Sequence, residues 1–478
     1  MARRHAIIIG GGASGVLFAY QLLRLSRSAF RVTLIEKRPE IGRGLAYHTG
    51  NPDHLLNVRA ANMSALPEDP DHFWRWLSAR DTGRCGDRYC FVPRRVYGDY
   101  IASLIRPLVS RGDDADGLRI LNSECVSIRE YAGGVVAELA SGAQLIGDVA
   151  ILATGHDSRK VPAACYADPW VSPSAAGIEK DSAVLILGTG LTMVDYVLSL
   201  LREGHRGPII AMSRRGLVPK AHRRVPPLRI DETEVPFGAK ASQLLRWFRD
   251  QVNAHRAQGG NWRSVVDGVR PFTQRLWREL PIDSRRRFLE HTRAWWDVHR
   301  HRMAPEVEAR IAKAIADHRL TLMAGKIVDI SPDSGGARVR YRRRGQTEVE
   351  SLHVATMVDC TGIVNDPAAT GNLAVQSLFE QGLARVDPLR IGIEVAPDCT
   401  IVDRNGSSSR RLYAIGPLTR AAFWEIIAIP DIRNQCVQLA ERVVQDAATT
   451  RNPPLATASL ATVPVDAPTE RARVIGHQ

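Results

Sequence analysis

Three groups of residues in this 478-residue chain have the types and spacing for chemistry. The first is a pair of glycine fingerprints. Gly10-Gly11-Gly12-Ala13-Ser14-Gly15 follows the apolar run Ala6-Ile7-Ile8-Ile9, and Gly188-Thr189-Gly190-Leu191-Thr192-Met193 follows Ala183-Val184-Leu185-Ile186-Leu187. In such a turn the first glycine allows the tight bend and the second lets the backbone approach a pyrophosphate. The third lets the helix pack on its strand, and the helix N-terminus attracts the phosphates. Met193 stands where the second unit's third glycine is usual, so close helix packing is in question there. Glu36, followed by Lys37, lies 26 positions after Gly10 at the end of the second strand, where an acid accepts from a ribose hydroxyl. The same count from Gly188 reaches Arg214, beside Arg215. A guanidinium cannot accept from a 2′-hydroxyl, but it suits a 2′-phosphate. The pair therefore predicts two dinucleotides on one chain: FAD at the first site and NADPH, with NADH as the lesser option, at the second.

The second group is Trp295-Trp296-Asp297-Val298-His299-Arg300-His301-Arg302. Its imidazoles His299 and His301 and its guanidiniums could hold an anionic substrate, and an imidazole can shuttle protons near neutral pH. On a helix, His299 and Arg302 would share a face. The bland alternative is a basic helix surface with structural tryptophans. Trp424-Glu425, just before a helix predicted over 431–444, could wall a reaction pocket, or could be a core tryptophan and a paired acid. Asn57 and Arg59 are similar candidates. The third group is Cys85 and Cys90, whose C-x4-C spacing is that of flavin disulfide reductases. In those enzymes the pair opens a helix soon after the acid-bearing strand. Here it lies 49 positions after Glu36, and Phe91-Val92-Pro93 disfavours a helix at that point.

Elements must position these groups. Residues 5–36 read as strand, helix, strand, with a long Gly-, Asn- and Pro-containing loop at 39–72. Val149–Ala153 is a buried strand ending in Thr154-Gly155. Residues 156–181 carry three prolines and read as a linker, and a second β-α-β unit spans 182–213. Residues 238–316, rich in Trp, Arg and Leu at helical spacing, read as a helical insertion of about four helices. The predicted architecture is α/β with two Rossmann-like domains, the second inserted in the first. An FAD-binding domain spans 1–175 and 356–449. A nicotinamide-nucleotide domain spans 176–237 and 317–355, interrupted by the insertion at 238–316. The Pro-, Ala- and Thr-rich segment 450–478 reads as a disordered tail.

Bulk properties narrow the class. Hydrophobic content of 44% and charge content of 24% are those of a globular protein, and no apolar stretch reaches transmembrane length. The net charge of +13 comes without a nucleic-acid-binding motif, so it reads as a surface suited to anionic ligands. Seven scattered cysteines, without a metal-binding pattern, fit a reducing compartment, and the expected location is cytoplasmic.

Several stretches resemble a bacterial family of FAD/NAD(P)-binding proteins: Gly42–Tyr47, His54–Val58, Met63-Ser64, Phe91–Arg94, Leu191–Asp195 and Phe423–Ile426. That family includes an FAD-dependent urate hydroxylase and a nitrosuccinate-forming aspartate N-monooxygenase. The resemblance implies an NAD(P)H-dependent flavin monooxygenase acting with O2 through a C4a-hydroperoxyflavin. It also implies that Thr154 and Gly155 close the first pass around FAD, that Gly416 lies beside the flavin, and that Ile432 opens a helix whose dipole steadies the reduced ring. Asn57 and Met63 are cofactor-site candidates on the same ground. Gly155 followed at once by His156 departs from the Baeyer–Villiger pattern. A small anionic nitrogenous substrate is expected. Urate, giving 5-hydroxyisourate, is the first choice and N-hydroxylation of an amino acid the second. A disulfide reductase using Cys85 and Cys90, or a non-catalytic flavoprotein, are the other readings.

Overall fold

A computed structural model describes residues 3–80, 85–109, 117–155, 165–362 and 367–449. The tail from 450 and His156 lie outside the described residues. Two sheets organise the chain. The first has the order Thr400–Val402, Ser408–Ala414, Val149–Leu152, Arg4–Ile9, Phe30–Glu36, Leu118–Asn122. Its strands run parallel except the edge strand Thr400–Val402. Ile7, Ile8, Leu34, Ala150 and Ile151 are buried, as a parallel sheet covered on both faces requires. Helix Ala13–Ser26 and the final helix Ile429–Thr449 pack together, so the C-terminal segment returns to the first sheet. An antiparallel trio, Cys125–Tyr131, Gly134–Leu139 and Gln144–Gly147, accompanies that sheet.

The second sheet has the order Glu350–Val354, Gly336–Arg343, Leu320–Asp333, Ile209–Ser213, Val184–Leu187, Thr356–Asp359, Tyr166–Ala167. Two strands fall differently from the sequence reading. Tyr166–Ala167, inside the segment read as a linker, pairs with Thr356–Asp359, and Thr356–Asp359 pairs with Val184–Leu187. The second sheet therefore reaches past residue 355. Helix Pro305–Ala316 also belongs with this sheet, because Val307, Ile311 and Ala314 join the core built on Val184, Val197 and Ile209. The helical insertion is correspondingly shorter. It consists of Ala241–Ala257, Trp262–Val269, Thr273–Glu279, and a rod in which Ile282–Arg287 continues through a π turn at Phe288–Thr292 into Arg293–Arg300.

The long loop after the first unit docks on the helix of the second fingerprint, Leu191–Arg202. Arg94 pairs with Asp195 at 2.9 Å, Asn51 donates to Ser199 at 3.0 Å, and Asp53 pairs with Arg202 and Arg310 at 3.2 and 3.0 Å. His54 bridges Thr49 and Ser199, and burial lowers its pKa, so the ring serves as a neutral hydrogen-bond link. Several stretches that resemble the family thus meet where the two units join.

Close packing in the first unit rests on Gly15. A Cβ there would lie 1.9 Å from the Gly10 carbonyl oxygen, a backbone atom that cannot swing away. Overpacking of this kind costs about 1–3 kcal/mol or more. Gly15→Ala is expected to lower the apparent melting temperature by about 2–6 °C. Gly86→Ala, at an exposed position with nothing within 4 Å, should leave it unchanged. Equal melting of the two variants would refute this packing constraint.

Candidate functional site

The two fingerprints form the same backbone construction. Gly10 donates to Ile35 O at 2.9 Å, and Gly188 donates to Met212 O at 2.7 Å. Ala153 donates to Ile9 O and Cys360 to Leu187 O, both at 2.8 Å. Gly10 and Gly188 have φ of +108° and +100°. A Cβ on either would collide with the carbonyl oxygen at the end of the neighbouring strand, Ala153 at 2.4 Å and Cys360 at 2.5 Å. Both turns open helices preceded by a glycine at the N-cap, Gly12 and Gly190. Neither helix has a side-chain cap or an acid in its first turn. Their initial N–H groups and positive dipole ends are therefore available to an anion.

This duplication corrects the residue count. Ile9 pairs with Ile35 and Leu187 pairs with Met212, so the counterpart of Glu36 is Ser213, 25 positions after Gly188. Arg214 corresponds to Lys37, and Arg215 to Arg38. Ser213 Oγ lies 2.9 Å from Thr189 Oγ1 and accepts from Gly216 N. Arg214 is exposed beyond the strand end, whereas Arg215 donates to His291 O of the helical insertion at 2.9 Å. Met193 is fully buried in the second core and fills the place of the third glycine.

A cleft opens at the first fingerprint. It is bordered by Gly10, Gly12, Ala13 and Ser14, by Glu36 and Lys37, by Thr154 and Gly155, and by Ile432. The Glu36 carboxylate accepts from Gly11 N at 2.7 Å and Arg38 N at 2.9 Å, which fixes it at the rim. Three other predicted residues lie elsewhere. Met63 is buried in the core, its carbonyl accepting from Tyr97. Asn57 turns its carbonyl to His222 at 2.9 Å. Gly416 sits behind the cleft wall, where a Cβ would meet Ser14 Oγ at 2.5 Å, and it donates to Gln435. Three bordering arginines, Arg38, Arg43 and Arg420, are additions to the sequence candidates. Arg43 is held by Glu40 and Asp99, both at 2.7 Å, and Arg420 donates to Ile391 O. Burial lowers the Arg420 pKa to about 10. Arg43 lies inside the Gly42–Tyr47 stretch, so a signal for it was present in the sequence.

The structure joins part of the Trp295–Arg302 segment to Trp424-Glu425. Trp296 Nε1 and Arg300 Nε donate to the two Glu425 oxygens, at 2.5 and 2.8 Å. Glu425 is buried at φ +64°, a conformation that costs a non-glycine residue about 1 kcal/mol and that its contacts must hold. Burial alone would raise its pKa. The Arg300 charge and the two hydrogen bonds outweigh this and hold it below the ordinary value. Glu425 is thus a pinned anion, suited to positioning rather than to proton transfer. His301 is kept neutral by burial, beside Asp297. His299 turns away to meet the Trp262 ring edge-on at 4.8 Å. The expected shared face of His299 and Arg302 is absent, because the helix ends at Arg300 and Arg302 is buried against Asp267. Trp424 stacks on Trp277, centroids 4.4 Å apart, while Trp277 donates to Ala421 O.

Cys85 and Cys90 are joined by a disulfide, which the reducing-compartment reading does not anticipate. Their loop packs through Cys90 and Arg88 carbonyls on Ala60 and Ala61, and neither cysteine borders the first cleft. Among the described residues, no helix is long and apolar enough to cross a membrane.

Together these features define the two-dinucleotide-domain fold of flavin-dependent monooxygenases. Residues 7–157 match a family model described as FAD-NAD(P)-binding. The chain superposes on the Kutzneria sp. 744 ornithine N-hydroxylase with a TM-score of 0.65 at 15% identity, covering 94% of this chain and all of that one. For the L-lysine 6-monooxygenase of Pseudomonas syringae the TM-score is 0.62 at 14% identity, covering 93% and 100%. For the thioredoxin reductase of Lactococcus lactis it is 0.50 at 13%, covering 93% and 100%. No curated protein matches the chain in sequence.

Glu425→Gln leaves the buried Arg300 charge uncompensated, so a loss of about 3 kcal/mol is expected. A depressed carboxylate pKa stabilises the fold above the unfolded value, near 4.5, and that stability disappears as pH falls through the lowered value. Denaturant melts of wild type and Glu425→Gln should therefore differ at neutral pH and converge in acid. A gap that is constant with pH would refute the ion-pair role.

Proposed function

We propose that the chain is an FAD-dependent, NADPH-oxidising monooxygenase that hydroxylates nitrogen in an amine or amino-acid-like substrate. The observation that carries the class is the asymmetry of the duplicated cradle. One copy ends its second strand in an acid, Glu36, and the other in a neutral serine, Ser213, followed by Arg214. Nitrogen as the acceptor is supported by the likeness to ornithine and lysine hydroxylases over nearly the whole chain. Urate, the first choice from the sequence, has no support among these likenesses. The disulfide-reductase reading is disfavoured because the cysteine pair lies apart from the first cleft and the likeness to a thioredoxin reductase is weaker.

The first cleft fits FAD. The uncapped start of helix Ala13–Ser26 receives the pyrophosphate, Glu36 accepts from the adenosine ribose, and Lys37, Arg38 and Arg43 offset phosphate charge. At the second turn the backbone of Gly190 is open: among the described residues a Cβ there would have nothing within 4 Å, so a nucleotide can approach it closely. Ser213 and Arg214 then face a 2′-phosphate. Bound FAD, once reduced by NADPH, supplies the oxygen-activating chemistry. The protein orients and encloses. Helix Ile429–Thr449 aims its N-terminus at the cleft through Ile429 and Ile432, which favours negative charge there. The Glu425–Arg300–Trp296 cluster fixes the turn that carries Trp424 on one side and Ile427 on the other.

Removing one charge-assisted contact to a phosphate costs about 1.5–3 kcal/mol. Arg214→Ala should therefore raise KM for NADPH at least about tenfold and leave KM for NADH unchanged. A wild type that prefers NADH would overturn the nucleotide assignment. Amines and amino acids that stimulate NADPH oxidation should yield hydroxylamines, detectable by mass spectrometry. Stimulation by urate with formation of 5-hydroxyisourate would reverse the choice of substrate.

A further inference from the structure

The helical insertion encloses a second cleft, of about 450 Å³, within the range of small-molecule sites. Six of the chain's nine tryptophans border it: Trp247, Trp262, Trp277, Trp295, Trp296 and Trp424. Helix Ala241–Ala257 contributes Leu244, Leu245, Phe248 and Val252, the apolar stripe of an amphipathic helix. Such a stripe normally buries itself against protein. Here the stripe is only partly covered: Leu244, Trp247 and Phe248 pack on Val235, Val269 and Leu276, no residue of the helix is fully buried, and the stripe borders the cleft.

Among the described residues, no carboxylate borders the cleft. Its charged groups are Arg249 and Arg256, both exposed on the same helix, and His299 stands beside Trp262. The result is an aromatic trough with a cationic rim. Trp424 closes one end, stacked on Trp277 and edge-on to Phe288 at 5.6 Å. Three residues on, Ile427 borders the first cleft. One short turn, held by Glu425, thus forms a wall of both cavities.

We propose that this second cleft is a ligand site for a compound with an aromatic or long aliphatic body and one anionic group. A small polar ligand would leave the tryptophans wet and its own polar atoms without partners, while an apolar body removes that surface from water. The anionic end meets Arg249 and Arg256. Taken with the proposed function, on which this last step rests, the ligand is the substrate. The nitrogen compound hydroxylated is then an apolar, anionic one rather than a urate- or ornithine-like one.

The test uses the flavin-loaded chain and 8-anilinonaphthalene-1-sulfonate as a fluorescent probe. The expected result is saturable binding that dodecanoate displaces and dodecylamine does not. Leu245→Arg, which places a charge in the trough, and Arg256→Glu, which reverses an exposed rim charge, should each raise the probe Kd at least tenfold. Flavin content and melting temperature should not change; Arg256→Glu, at an exposed position, keeps the test valid if Leu245→Arg fails to fold. Equal displacement by acid and amine, or wild-type affinity in Arg256→Glu, would overturn the site. NADPH oxidation assayed in parallel with tryptophan, phenylalanine and their N-acyl derivatives separates the two claims. Ligand binding without stimulation by any apolar anionic nitrogen compound would overturn the substrate role while leaving the ligand site standing, and stimulation by other amines or amino acids would then keep the monooxygenase reading.

Discussion

The structure depends on one backbone crossing, made twice. At the end of Arg4–Ile9 and again at the end of Val184–Leu187, a glycine passes within reach of the last carbonyl of a neighbouring strand. Only a residue without a side chain, at positive φ, can occupy that place. The crossing brings a helix start to the C-terminal edge of the sheet and points its unpartnered N–H groups outward. The strand beside it ends at the same edge and presents a residue to whatever the helix start holds. In the first copy that residue is Glu36 and in the second Ser213, with Arg214 next. The two copies are alike in backbone and differ at the strand end, where the acid of one is a neutral serine in the other.

What lies between the copies makes them one machine. The loop carrying Asn51, Asp53 and His54 is fastened to helix Leu191–Arg202, and Arg94 adds an ion pair to Asp195 on the same helix. The helical insertion is fastened to the first unit through Glu425, which Trp296 and Arg300 grip, and through Trp277, which donates to Ala421 O. The turn at Trp424–Ile427 is therefore fixed by two helices of the insertion, Arg293–Arg300 and Thr273–Glu279. That convergence explains how a buried non-glycine residue is kept in a left-handed conformation.

The sequence made the nucleotide cradles legible because their signals are local. A strand, three glycines and an acid within 30 residues determine both conformation and ligand chemistry. Lys37, Thr154, Gly155 and Ile432 border the first cleft for the same reason: each stands at the end or start of an element that could be read directly. The equal count of 26 misleads because the span from the first strand to its paired strand is one residue shorter in the second unit, and only pairing register reveals it. Met63, Asn57 and Gly416 do not border the first cleft, because their setting depends on Tyr97, His222 and Ser14, each distant in sequence from its partner. Arg302 was put on a helix that ends two residues earlier, and Asp267 claims it from another helix. The aromatic cleft was least legible. Tryptophans at helical spacing read as core, and nothing in periodicity distinguishes a stripe that meets protein from one that borders a cavity.

The most direct test of two cradles with two different nucleotides is the equilibrium stoichiometry of bound flavin and NADP+ in wild type and in Gly190→Val. A side chain at position 190 meets open space, so the fold should tolerate it while the close approach of a pyrophosphate is blocked. The account predicts one flavin and one NADP+ per wild-type chain, and a variant that keeps its flavin and loses NADP+. Retention of NADP+ by the variant, or wild-type protein that binds a single nucleotide in all, would contradict it.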